Sequence, residues 1–391
     1  LSEYYQPICI GRPCGCFYKD GGIHKGPPPP AARTWGITPG KTSAFVYGQG
    51  RSLSEHCPPP LKEEWEASQA KIKTFFLAFC EAKINIKEHC LTGLIPAVEL
   101  LKFYGCKDEI TQHVFQSMEP PLSYDFLVTL HDLLQAIASR PLIIDERALD
   151  SQQHQPRVKG FWGQVRKSKP YMIFDMFKSK TGRLTTCRGS FPILTMAKKY
   201  RKVLKPHNDH FIEFDYNAAE LRTLLALADQ PQPPQDLHTW NIKNVYRGLL
   251  TREQAKKRIF EWLYNPESKD HLSEGVYKKE EIKNKYYKNG VVTNPFGREI
   301  KCDDFHALNY LIQSTAADIF LRQVVKINEI IKKKELKSFI SFLMHDSIVL
   351  DVCEKETSII KELAQGFSNT KFGTFPVTTK RGTDYGNLKE E

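Results

Sequence analysis

His210-Phe-Ile-Glu-Phe-Asp215 alternates polar and apolar side chains and stops on an acid. Ser338-Phe-Ile-Ser-Phe-Leu-Met-His345-Asp346 does much the same, then runs on into Ile348-Val-Leu-Asp-Val352. Alternation of period two marks a half-buried strand. The first stretch therefore reads as a strand ending at Asp215, and the second as a hairpin turning at His345-Asp346-Ser347. Between them, apolar spacing predicts helices from Arg252 to Tyr264 and from Ala307 to Lys332. A strand-terminal Asp taken alone is as readily a turn former. Two such acids on rigid strand ends are also what in-line phosphoryl transfer needs, because a pair of metal ions about 4 Å apart must be held by shared carboxylates.

The helix between the two acids carries the second chemical signal. Thr251 reads as its N-cap, with Gln254 three residues on reaching back. Arg252, Lys256, Phe260 and Tyr264 follow at steps of four. Each step overshoots a 3.6-residue turn by about 40°, so the four side chains span only about 120° of the circumference. One face thus presents two cations, a flat ring, and a ring with a hydroxyl. A nucleoside triphosphate would fit along it, phosphates toward Arg252 and base toward Phe260. An amphipathic core helix with snorkelling cations has the same spacing.

Composition narrows the field without deciding it. Lys and Arg number 56 against 45 Asp and Glu, a net charge of +11 that favours a polyanionic partner. No apolar run is long enough to span a bilayer, so no membrane role is expected. The chain starts at Leu1, and a fragment, a processed form or a trimmed form is expected. Residues 1–60 are Gly- and Pro-rich without periodicity and read as an irregular segment of unknown role. Within it, Gly36 to Thr42 falls one residue short of a phosphate loop. From Lys62 to about Arg140, Trp65, Ile72, Phe75, Phe76 and Phe79, and then Tyr124, Leu127, Leu130, Leu134 and Ile137, recur at helical steps. Ten scattered cysteines suggest a reducing, intracellular compartment. Cys9, Cys14 and Cys16 with His24 or His56-Cys57 lack zinc-site spacing and read as free thiols.

Read in order, these pieces resemble the family-A DNA polymerases, the DNA polymerase I family, some members of which come from phages. Asp215-Tyr-Asn-Ala-Ala-Glu220-Leu221-Arg222 is similar to the first palm motif, with Asn217 in place of Ser. Arg252, Lys256, Phe260 and Tyr264 match the fingers helix, and Met344-His345-Asp346-Ser347 the second palm motif, usually His-Asp-Glu. Weaker signatures are Thr181-Gly182-Arg183-Leu184, Asp236-Leu237-His238, Gly297-Arg298, Asn309-x-x-x-Gln313-x-Thr315-Ala-Ala-Asp318, Pro376-Val377 and Gly386-Asn387. The likeness covers about residues 170 to 390.

The resemblance implies an α+β right-hand fold with an antiparallel palm sheet, a helical thumb and abbreviated helical fingers. Its expected layout is an N-terminal segment at 1–60, thumb at 61–155, palm at 156–229 and 301–391, and fingers at 230–300. It implies that Asp215, Asp346 and the backbone carbonyl of Tyr216 bind two Mg²⁺, with Mn²⁺ as a substitute. Arg252, Lys256 and His238 would grip the triphosphate, Lys256 joining the two acids in catalysis. Phe260 would stack on the incoming deoxynucleotide, Tyr264 would pack beside the template base, and Glu220 would exclude a 2′-hydroxyl. Arg183, Asn309, Gln313, Arg298 and His345 would contact primer-template DNA. A monomer is expected, with replication-protein partners unspecified.

Besides Asn217, three departures stand out: Ser347 for the usual Glu, Asn265 where Gly normally follows the fingers Tyr, and a short stretch from Tyr264 to Gly297 whose Lys278–Lys288 run reads as a solvated helix. Ser347 bears on primer positioning and metal affinity. His-Asp-Ser also occurs in single-subunit phage-type RNA polymerases, but those lack the Glu-Leu-Arg element and the Phe at the position of Phe260. A non-catalytic nucleic-acid-binding module would need neither acid. The acid-poor stretch before the first helices offers no proofreading exonuclease.

Overall fold

The alternation seen at His210 and Ser338 does form strands in the computed structural model, which describes residues 3–8, 15–29, 32–38, 40–86, 88–265 and 267–391. The chain divides into two compact units, residues 1–132 and 133–391.

In the first unit, strands Gln6–Pro7 (β1), Cys16–Lys19 (β2) and Gly22–Lys25 (β3) make an antiparallel meander. Asp20 and Gly21 join β2 to β3 at positive φ, 48° and 77°. Two left-handed residues match the twist of a tight hairpin, and Asp-Gly supplies them at little steric cost. The stretch read as irregular therefore carries a small sheet. Helices Lys62–Glu81 (α1) and Ala97–Ser117 (α2) bury Trp65, Ile72 and Phe79 from one and Leu100, Tyr104, Ile110 and Val114 from the other. Trp65 stacks on Phe103 of α2 at 5.3 Å between ring centroids. The amide of Gln6 donates to Asp108 at 2.9 Å and to Thr111 at 3.1 Å, tying β1 to α2. Cys9, Cys14 and Pro39 lie outside the described residues. Cys16 and Cys57 are free thiols, whereas Cys90 is disulfide-bonded, so free thiols are not the rule throughout. Helix Tyr124–Ala138 (α3) carries the chain into the second unit.

The second unit is built on a five-stranded sheet. Its strands are His210–Tyr216 (β4), Phe339–Met344 (β5), Ser347–Val352 (β6), Val377–Gly382 (β7) and Lys389–Glu390 (β8). They lie in the order β5-β6-β4-β7-β8, every neighbouring pair antiparallel. β4 is central, with Asp215 opposite Ser347 on one side and Thr378 on the other. After β4 the chain turns sharply at Ala218, left-handed at φ 54°. It then enters helix Ala219–Leu227 (α4), buried at nearly every position. Helices Leu237–Asn244 (α5) and Arg252–Tyr264 (α6) follow, α6 opened by the expected Thr251/Gln254 capping box. After α6, Lys278 is left-handed and separates helix His271–Tyr277 from helix Lys279–Tyr286, at the start of the Lys/Glu-rich run. Lys279 just after it is buried, its ammonium donating to the Trp262 carbonyl at 2.9 Å, so that run is not wholly solvated.

The 30-residue helix Asp304–Lys333 (α7) runs past α4 and packs on helix Ile360–Ser368 (α8). Its N-terminal half joins α4, α5 and α6 in one apolar core through Leu308, Leu311 and Ile312. Beside the sheet, the Tyr216 ring lies nearly parallel to Phe367 of α8 (4.4 Å, 9°) and edge-on to Phe375, and its hydroxyl donates to the Phe367 carbonyl. This sandwich holds the acidic end of β4 in place. Removing the fully buried Phe367 ring should leave a cavity there. Phe367→Ala is expected to lower unfolding free energy by about 3–5 kcal/mol, read from urea denaturation; a loss of only a few tenths would contradict the packing described.

Candidate functional site

Strand register brings the two acids together. Asp215 faces Ser347 across the β4–β6 ladder, and Asp346 is the residue just before Ser347, in the two-residue turn from β5 to β6. His345, the first residue of that turn, is left-handed at φ 52°, a conformation a non-Gly residue takes only with support from its surroundings. Burial and the neighbouring Asp346 charge push the Asp215 carboxyl up to about 6 from an ordinary 3.8. Burial raises Asp346 as well, opposed in part by Arg183 and His345. Two desolvated like charges at adjacent strand ends make an unfavourable pair unless a cation joins them.

Behind the acids lies a third carboxylate. Glu213, two residues before Asp215 on the same face of β4, is buried. It accepts from the Lys380 ammonium at 3.1 Å, the Tyr385 hydroxyl at 3.2 Å and the Ser347 hydroxyl at 3.4 Å. Sequence reading passed over it, although the two-residue period of β4 was the signal that could have found it.

In front of the acids, a cleft is lined by Arg183, Glu220, Ala317, Phe320, His345 and Asp346 among others. Glu220, in the first turn of α4, accepts from Arg183 at 2.5 Å and from the Tyr264 hydroxyl at the end of α6. Arg183 leaves a turn at Gly182, whose φ is 75°; a Cβ there would sit 2.5 Å from the Arg298 guanidinium. Arg298 itself forms a two-pronged pair with buried Asp318 at 3.0 and 2.6 Å. The Gln313 amide donates to Asn309 one turn earlier on α7, at 2.6 Å.

The cationic face of α6 borders the same region. Phe260 and Tyr264 stack in parallel planes with centroids 6.0 Å apart, and the His238 ring approaches Phe260 at 5.8 Å. Burial, then the cations Lys256, Arg252 and Arg222, lower the His238 imidazole below its ordinary value, against the pull of Asp236. Its buried Nδ1 has no hydrogen-bond partner among the described residues. Lys256 is exposed. Arg252 pairs with Asp236 through two bonds of 3.1 and 3.0 Å. Asp236 also accepts from Asn217 and Thr239, capping α5. Burial alone would raise Asp236; these donors outweigh it and hold the carboxyl far below the usual range. Arg222, wholly buried, donates to the carbonyls of Asn217, Pro233 and Gln235. Asn217, noted above only as a departure, therefore links the end of β4 to the base of α6.

Comparison with known proteins finds similarity to DNA polymerases. The family model described as DNA polymerase family A matches residues 264–386. A DNA polymerase of Mycobacterium phage D29 is 24% identical over 214 residues, 44% of this chain and 35% of the phage protein. DNA polymerase I of Borreliella burgdorferi is 22% identical over 251 residues, 51% of this chain and 28% of its own length. That of Caldicellulosiruptor bescii is 25% identical over 246 residues, 50% and 29%. The chain thus spans at most 35% of the length of these relatives. Among solved structures, the polymerase domain of Pol1 from M. smegmatis in complex with DNA primer-template and dNTP has the same fold. Its TM-score is 0.57 at 14% identity, covering 89% of this chain and 82% of that one.

The raised acid has a measurable consequence when divalent ions are chelated. Between an ordinary 3.8 and about 6, the folded state keeps a proton on Asp215 that the unfolded state has released. Stability must therefore fall as pH rises through that window. Asp346 acts in the same direction. In chelator, Asp215→Asn should lose less stability than the parent between about pH 4 and 6, followed by urea midpoints. Equal pH slopes would contradict the shift.

Proposed function

Because the chain resembles the DNA polymerases of family A in both sequence and fold, we propose that it is a template-directed DNA polymerase that extends a primer 3′-hydroxyl. One observation carries the reading: Asp215 and Asp346 end adjacent strands as desolvated like charges beside a helix with Arg252 and Lys256 on one face. The donor set fits Mg²⁺, or Mn²⁺ in its place, because two carboxylates and the Tyr216 carbonyl are all hard oxygen ligands. Bound there, two such ions would lower the pKa of the primer hydroxyl and neutralise charge on the phosphates.

The remaining work falls to side chains. Lys256, exposed and close enough to act on His238, neutralises charge building on the departing pyrophosphate, with His238 at the same phosphates. Arg252 grips the triphosphate by exchanging Asp236 for a phosphate oxygen, since both present paired acceptors to its planar fork. Phe260 offers its face to the incoming base, and Tyr264 stacks behind it beside the template. Glu220, pinned by Arg183 and Tyr264, stands under the sugar and excludes a 2′-hydroxyl. Asn309, Gln313 and Arg183 face the minor groove of primer-template DNA, whose acceptors are alike in every correct pair, and Arg298 also contacts the DNA. His345 lies at the primer end.

In this reading residues 61–155 act as a thumb, 156–229 and 301–391 as the palm with the antiparallel sheet, and 230–300 as short fingers. The chain works as a monomer, and no proofreading activity is assigned to it.

The deciding experiment is primer extension with deoxy- and ribonucleotides. The parent should extend with deoxynucleotides, and Asp346→Ala should cut the rate by about 10³-fold or more while keeping the parental fold. An inactive parent, or an Asp346→Ala variant as fast as the parent, would refute the reading. Separately, Glu220→Ala should raise ribonucleotide incorporation relative to deoxynucleotide by about a hundredfold, measured as the ratio of kcat/KM values. An unchanged ratio would remove Glu220 from sugar selection.

A further inference from the structure

Strand β6 opens on Ser347 where the family pattern has Glu, so the acid pair lacks a carboxylate from that side. The structure holds one nearby from another strand. Glu213 lies one pleat below Asp215 on β4, buried, and the Ser347 hydroxyl donates directly to it at 3.4 Å. Lys380 and the Tyr385 hydroxyl, from β7 and the loop after it, fix its second oxygen and share the first. Ser347 itself is buried, and its single hydroxyl proton is shared between Glu213 and the Met344 carbonyl, 3.1 Å away, so its side chain fits here as a hydroxyl. A Glu in its place would set a second carboxylate against Glu213 with a single ammonium between them.

We propose that Glu213 is a positioning residue that supplies, from β4, the negative charge the second palm motif lacks, its carboxylate facing the Ser347 hydroxyl across the ladder. Held by Lys380 and Tyr385, it orients the strand end that presents Asp215 and adds attraction for divalent cations without ligating them. This inference rests on the polymerase reading. Outer partners of metal ligands act in this way through orientation and field.

The test is a four-member cycle: parent, Glu213→Ser, Ser347→Glu and the double exchange, with Glu213→Gln as an isosteric control. Mn²⁺ binding is titrated by electron paramagnetic resonance, alongside thermal melting and primer extension. Glu213→Gln should weaken Mn²⁺ binding by about tenfold with little change in melting temperature. Each single exchange should be impaired, and the double exchange should return to within about threefold of the parent in Mn²⁺ affinity.

A purely structural Glu213 would give additive losses in the double variant; that result, or parental Mn²⁺ affinity in a folded Glu213→Gln, overturns the inference. If the singles do not fold, a folded double exchange that binds Mn²⁺ supports it and an unfolded one overturns it. An active parent with an inert Asp346→Ala and an unaffected Glu213→Gln sinks this inference alone. A parent that neither extends primers nor binds Mn²⁺ sinks the polymerase reading as well.

Discussion

The antiparallel register of β4 against β6 is the constraint on which the site depends. Because Asp215 is fixed opposite Ser347, Asp346 must lie at the neighbouring strand end. A slip of one residue would turn Asp215 to the other face of the sheet. Strand β4 is held from several directions: apolar pairs such as Phe214 opposite Ile348 in the β4–β6 ladder, the Tyr216 sandwich at its end, and, on its other side, the Glu213–Lys380 bond to β7. Two half-buried acids at adjacent strand ends repel one another, and packing elsewhere in the unit offsets that repulsion. Strain kept at a chosen point and supported by its surroundings is a recurrent mark of function.

The surrounding polar groups form two separate supports. One runs from Asn217 through Asp236 to Arg252 and joins the end of β4 to the first turn of α6. The other runs from Arg183 through Glu220 to Tyr264 and joins the turn at Gly182 to the last turn of the same helix. Helix α6 is thus tied at both ends to the region of the acids, while Lys256 between the ties remains exposed. A ligand entering with negative charge meets one cation already paired and one open. In the proposed reaction, exchange of Asp236 for phosphate at Arg252 would couple nucleotide binding to the helix position.

Much of the second unit was legible from the sequence because its elements are long and strongly periodic. β4, the β5–β6 hairpin, α6 with its capping box and α7 all follow from spacing. The missing parts depend on pairings between distant residues that no local pattern reports. Glu213 meets Lys380 only through the β4–β7 register, and Asp236 meets Arg252 only once α5 and α6 pack together. In residues 1–60 the prolines hid the Asp20-Gly21 turn signal, since the strands flanking it are only four residues each. Lys279 read as solvated because its ammonium finds the Trp262 carbonyl in the fold, not in the chain.

The proposed reaction requires Asp215 and Asp346 to share divalent cations. It is tested most directly by a crystal structure with Mn²⁺ and a deoxynucleotide whose α–β bridge cannot be cleaved, recorded for anomalous scattering. Anomalous density is expected within ligand distance of both carboxylates, about 2.0–2.3 Å, with triphosphate oxygens on the Arg252 and Lys256 side. Manganese bound elsewhere, or the two carboxylates turned away from each other with the nucleotide in place, would contradict it.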